Sequence, residues 1–285
     1  MHNDLDERLS MGSCATLACL WEVLAPKPGS VYRGADFDDL TFADFAAAAA
    51  VIGTVIDRGT QTTVGQTVLR GVAATQRVVQ TNVNLGILLL LAPLAARRER
   101  LTPASVGACL AELTADDAVD VYEAIRLAQP GGLGKVESAD VAALPPAGLT
   151  LRDAMRLAAE RDTIARQYVE DYQLVFWLAE RLATHARELP LSSAIVAAYL
   201  ELLAHCPDTL IRRKCGAEVA QETSHRAARI LEHSDADARH AAIADFDFWL
   251  RSDGHRRNPG TSADLIAAAL FVLLRNERIA FPVQF

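Results

Sequence analysis

Phe42-Ala-Asp-Phe-Ala-Ala-Ala-Ala-Ala-Val-Ile-Gly-Thr-Val55 decides the fold class. Alanine has the highest intrinsic helix propensity, and five in a row favour no other regular structure. Thr41 stands where an N-cap belongs, and an alanine face lets a second helix come close. Upstream, Met11, Leu17, Leu20, Val23 and Leu24 recur at helical spacing until Pro26 and Pro28, which cannot continue a helix.

Downstream the same logic predicts further helices. They fall at 64–75, from Leu85 to about Ala96, from Thr102-Pro to about Leu113, and from Asp116 or Asp117 to Gln129. One long helix is expected at 150–184, followed by 192–204, 208–233, 235–251 and 262–276. The tail 278–285 reads as an extended, strand-like segment. The expected fold is all-α, one multi-helix globular domain over residues 1–285. Residues 129–149 form the longest aperiodic stretch, which reads as a lid over a site or as a linker between helical halves.

The net charge of −8 argues against nucleic acid and anionic membranes as partners. The most apolar runs, 85–96 and 265–274, are shorter than the ~20 residues that a span needs. Cys14, Cys19, Cys109, Cys206 and Cys215 show no C-x-x-C and no zinc-finger spacing. They read as reduced, mostly buried thiols of a cytoplasmic protein.

Several motifs fail. Gly131-Gly-Leu-Gly-Lys135 looks like a P-loop, but Gln129 stands where the first glycine belongs and Val136 where Ser or Thr should hold Mg²⁺. H-E-x-x-H and G-x-S-x-G are absent. The histidines are scattered on polar faces; His255 alone stands beside a turn motif.

Four clusters survive. Asp36, Asp38 and Asp39 crowd three carboxylates into four residues, either a solvated turn or a Mg²⁺ site, with Lys27 and Arg33 flanking as a phosphate clamp. Asn82 and Asn84 precede a helix and either cap it or cradle an anionic oxygen. Asp208 and Arg212 are spaced for a surface pair, with Arg213 and Lys214 adjacent; together they could also grip a triphosphate. Asn258-Pro-Gly-Thr-Ser-Ala-Asp264 is a helix start with more charge than capping needs, and Asp264 could hold Mg²⁺.

Pro26-Lys-Pro-Gly, Asn82-x-Asn-x-Gly, Ala124-Ile-Arg-Leu-Ala-x-Pro-Gly-Gly-Leu-Gly134, Asp208-Thr and Asn258-Pro-Gly-x-Ser-Ala-Asp-Leu occur in that order. Together they resemble the triphosphoribosyl-dephospho-coenzyme A synthase family. The resemblance implies an all-helical transferase that moves the 5-triphosphoribosyl group of ATP to the 2′-hydroxyl of 3′-dephospho-coenzyme A and releases adenine. The product is a prosthetic-group precursor for citrate lyase and malonate decarboxylase.

The resemblance adds Arg126 and Gly132 as substrate-binding positions, and Asp120 or Asp162, each near a family motif, as the proton acceptor. The implied partners are ATP, a nucleotide-like or phosphorylated acceptor, Mg²⁺ and a second copy of the chain as a homodimer. The sequence departs from the family after its Pro-Lys-Pro-Gly turn. Tyr32-Arg-Gly-Ala-Asp-Phe-Asp-Asp lacks the usual histidine, which resembles a divergent branch of archaea and methylotrophs. That departure keeps two alternatives open: a Mg²⁺-dependent enzyme acting on another phosphorylated ribosyl or pterin-type substrate, and a non-catalytic helical interaction protein.

Overall fold

The computed structural model describes residues 9–129 and 144–285. Among them fourteen α-helices account for nearly all regular structure, and only a four-residue extended segment, Ser252–His255, is strand-like. The all-α expectation holds.

The first half packs around close helix approaches. α1 (Met11–Leu24) starts at Ser10, whose hydroxyl accepts from the Ser13 N–H. α2 (Phe42–Ile56) starts at Thr41 with a reciprocal capping box to Asp44. The two helices cross at Gly12 and Gly53, where a Cβ on Gly53 would lie 2.2 Å from Thr16 Oγ1. The alanine run lies beside this crossing, and Thr16 Oγ1 donates to the Ala49 carbonyl at 3.2 Å. α3 (Val64–Gln76) then lies against α6 (Ala115–Ala128), with Gly65 at the contact.

α4 (Leu85–Ala95) is buried on almost every side although it contains Pro93. Proline has no N–H, so the Leu89 carbonyl one turn earlier loses its helical partner. Tyr168 Oη donates to that carbonyl at 2.6 Å, and Tyr172 Oη donates to the Leu90 carbonyl at 3.1 Å. Both tyrosines are fully buried. α5 (Pro103–Ala111) follows, opened by Thr102 with proline in its first turn.

Two expected long helices are broken. Residues 150–184 form α7 (Leu151–Ala158), α8 (Thr163–Val169) and α9 (Gln173–His185). Asp162 caps α8, and Asp171 and Tyr172 adopt left-handed backbone at the second break. Residues 208–233 divide into α11 (Thr209–Cys215) and α12 (Ala217–Glu232) at Gly216, whose φ of 93° suits glycine. Periodicity alone missed both breaks, because the apolar spacing continues across them.

α10 (Leu191–His205), α13 (Ala236–Arg251) and α14 (Gly260–Arg275) complete the chain. α14 is the buried centre, packed against α1, α4 and α9. The main apolar core draws on residues from Cys14 to Leu274, and a small second cluster joins Ala48, Val79 and Val83. The tail is not a strand; it is tied down by the Leu191 N–H donating to the Gln284 carbonyl at 2.8 Å. All five cysteines are free, and Cys14, Cys19 and Cys109 are buried. Among the described residues no single helix is long and apolar enough to cross a membrane.

Inside a helix, glycine-to-alanine usually stabilises by about 1 kcal/mol. At Gly53 the added methyl has no room, so Gly53→Ala is expected to destabilise by about 1–3 kcal/mol. Urea unfolding checks this; a midpoint at or above that of the parent protein would contradict the crossing.

Candidate active site

A cavity of about 360 Å³ opens where the loop after α1, the start of α4, α6, α7, α8, α11 and the start of α14 meet. Val121, Ile125, Leu151 and Met155 line an apolar portion, while Arg161, Asp162, Arg213, Lys214, Asn258 and Asp264 supply charge and polarity.

The start of α14 is held by Asp208. One carboxylate oxygen caps α11 through the N–H groups of Leu210 and Ile211, at 2.8 and 3.0 Å. The other accepts from the backbone N–H and the hydroxyl of Ser262, both at 2.8 Å. Asp208 is buried and does not line the cavity, so its role is to join the Arg213-bearing helix to the Asp264-bearing helix. Burial pushes its carboxyl above the ordinary range despite these four donors.

Asp264 lies against the first turn of α4. A Cβ on Gly86 would meet its Oδ2 at 2.0 Å, so a glycine there gives the carboxylate its place. Among the described residues no hydrogen bond or ion pair reaches Asp264. Burial and the nearby charges of Glu22, Asp208 and Asp162 push its pKa well above the usual carboxylate range, and Arg213 offsets only part. Asn82 Oδ1 accepts from the Leu85 N–H at 3.2 Å, capping α4. Asn84 Nδ2 donates to Thr75 Oγ1 at 2.6 Å, which pins it to α3.

Asp162 faces the same space, but its oxygens are committed. Oδ1 accepts from the Ile164 and Ala165 N–H groups, and Oδ2 accepts from Arg213 Nη1 at 3.0 Å. Arg213 keeps a buried Nε with no partner among the described residues, and so does Asn258 Oδ1. A buried donor and a buried acceptor left over in one cavity are costly unless a ligand completes them. Lys214 lines the same wall, and burial, then Arg213, lowers its pKa.

Lys27 does not face ligand. Its ammonium is fully buried 2.9 Å from Glu22 Oε1, also donates to the Glu22 carbonyl, and reaches the Ala25 carbonyl at 3.4 Å. Three acceptors use all three of its donors, so the phosphate-clamp expectation is corrected for this residue. Glu22, by contrast, lines the cavity. Burial raises its pKa, and Lys27 pulls part of that back.

The two turn-rich regions do meet. The Gly29 N–H donates to Asp247 Oδ1 at 2.7 Å, and His255 Nδ1 lies 2.8 Å from Asp39 Oδ1. The three loop aspartates nevertheless do not form one site. All are exposed, and Asp36 accepts from the Phe42 N–H at 2.6 Å at the start of α2 while Asp39 pairs with His255. Among the described residues no group of three or more His, Cys, Asp or Glu is arranged to hold a metal ion.

Arg33 and Arg212 are exposed outside the cavity lining, and Arg126 pairs with Glu123. Asp120 also lies outside that lining, because it turns toward Gly65 on α3 while its neighbour Val121 faces inward. Gly132 and most of the expected lid lie outside the described residues. Glu22 and Arg161 were missed from sequence. Glu22 sits inside an apolar helix, and Arg161 sits in a break that periodicity smoothed over.

An all-helical scaffold around a charged cavity with leftover donors and acceptors defines a helical protein with a polar small-molecule site. Residues 8–281 match the family described as ATP:dephospho-CoA triphosphoribosyl transferase, and the chain belongs to that family. It is therefore a transferase, with triphosphoribosyl-dephospho-CoA synthase activity. Among solved structures, a candidate triphosphoribosyl-dephospho-CoA synthase from Archaeoglobus fulgidus is similar, with 26% identity and a TM-score of 0.64. The match covers 81% of this chain and 98% of that one. No curated protein matches the chain.

Lys27→Met leaves the Glu22 carboxylate buried without its cation and is expected to cost about 3–5 kcal/mol in urea unfolding. Adding Glu22→Gln should recover most of that loss. A double variant no more stable than the single one would show that the pair is not coupled.

Proposed function

We propose that ATP and dephospho-CoA meet in this cavity, and that Asp264 is the residue on which the transfer depends. The observation that carries the reading is a half-buried carboxylate in the cavity wall, with no hydrogen bond or ion pair to a described residue, in a lining it shares with Arg213 and Lys214. The triphosphate pairs with Arg213, Lys214 and Arg161, whose guanidinium and ammonium groups suit phosphoryl oxygens. The apolar wall of Val121, Ile125, Leu151 and Met155 receives the uncharged parts of the substrates.

In the transfer, the bond between ribose C1′ and the adenine nitrogen breaks and its electron pair leaves with adenine, which takes up a proton. The acceptor 2′-oxygen bonds to C1′ and gives up its own proton. Positive charge accumulates at C1′ on the way, as in glycoside hydrolysis, so nearby carboxylates favour the transition state. Glu22, oriented by Lys27 and raised in pKa by burial, takes the acceptor proton in this reading. It replaces Asp120, which lies outside the cavity lining, and Asp162, whose oxygens are already engaged.

Mg²⁺ fits Asp264 together with Asn258, whose buried Oδ1 lacks a partner, better than it fits the exposed loop aspartates. When bound, it would offset the negative charge of the triphosphate. The free cysteines agree with a reducing, cytoplasmic setting.

Asp264→Asn is expected to abolish adenine release from ATP in the presence of dephospho-CoA, at least 100-fold on the scale of lost electrostatic stabilisation, with helical circular dichroism unchanged. Adenine release at the parental rate would remove Asp264 from the reaction. Loss of release that depends on some acceptor other than dephospho-CoA would redirect the reading to a different ribosyl acceptor.

A further inference from the structure

A second hollow, of about 250 Å³, lies between the end of α2 and the outer face of α3. Arg58 enters from the turn after α2, Arg70 comes from α3, and Arg77 is the C-cap residue just past its end. Arg70, Ala73, Ala74 and Arg77 follow the i, i+3, i+4, i+7 rule, so they form one helical stripe. The small alanines separate the two long side chains, and the hydroxyl-bearing Thr54 and Thr62 complete the polar lining.

None of these three guanidinium groups makes a hydrogen bond or ion pair with a described residue. Many other arginines, among them Arg97, Arg152, Arg181, Arg213, Arg251 and Arg278, pair with a carboxylate, whereas Arg33 also goes without one but stands alone on the surface. Asp120 feels the charge of Arg70, yet no bond joins them. Three unanswered positive charges in one hollow repel each other, and a concave wall of one sign focuses its field on whatever enters. The chain carries a net charge of −8, so this patch is not the by-product of a basic protein.

We infer that this hollow binds a phosphoryl anion, of the polyphosphate or phosphorylated small-molecule class, at a site separate from the active site. Guanidinium forks match phosphoryl oxygens in pairs. Arg70 and Arg77 are about 10 Å apart along the axis at the helical rise per residue, a span that suits several linked phosphoryl groups better than a lone phosphate. The same helix presents Thr75 to Asn84, so α3 carries this hollow on one face and a support of the active site on another.

Calorimetric titration of the full chain with inorganic tripolyphosphate, with EDTA present, tests the assignment. The parent protein is expected to bind at two sites. Arg70→Gln/Arg77→Gln, both exposed changes, should weaken one of them at least tenfold, while Arg213→Ala weakens the other. Arg58→Gln, on the opposite wall, should weaken the same site as the double variant and guards against a folding defect in it. Curves for Arg70→Gln/Arg77→Gln and Arg58→Gln that superimpose on the parent curve would overturn the inference. So would a single parental site that vanishes with Arg213→Ala, a result that would leave the active-site reading intact.

Discussion

Asp208 accepts four hydrogen bonds from two helix starts that lie more than fifty residues apart in sequence. A buried carboxylate with this many donors is stable only if both helices arrive in register, so the residue works as a joint. α11 brings Arg213 and Lys214 to one side of the joint, and α14 with the turn before it brings Asp264 and Asn258 to the other. Cavity charge therefore depends on a residue that never touches the cavity. The Asp-Thr motif, conspicuous as a substrate-gripping element in sequence, earns its place through geometry instead.

A comparable logic governs the helices behind the site. Pro93 strips the Leu89 carbonyl of its helical donor in the interior, where water cannot replace it. Tyr168 and Tyr172 supply hydroxyls to that carbonyl and its neighbour. For both tyrosines to reach α4, the 150–185 stretch has to fold as three short helices rather than one. The first break places Asp162 at a helix start, where its two oxygens are used by α8 and by Arg213. Arg161, beside it, lines the same cavity.

The carboxylates around the cavity are differentiated by their partners rather than by their type. Glu22 is held by Lys27, Asp208 by backbone and serine donors, and Asp162 by a helix start and an arginine. Asp264 has no such partner among the described residues, and the other three negative charges raise its pKa. An added cation or proton is therefore most favourable at Asp264. The position is made possible by Gly86, which leaves room where any side chain would collide.

Local chemistry was sufficient to specify the helical character of the chain and several helix starts, though not the breaks within 150–184 and 208–233. Thr41 and Thr102 announced helix starts, and the alanine run announced a close crossing, because propensity and capping act within a turn or two of the chain. Membership of the family was also legible, in the order of its turn motifs. Only the tertiary structure decided which charged residues face the cavity. Lys27 looked like a phosphate ligand and is a buried counter-ion; Glu22 looked like part of an apolar helix and lines the cavity. Burial and partner choice are set by residues far away in sequence, and no local pattern encodes them.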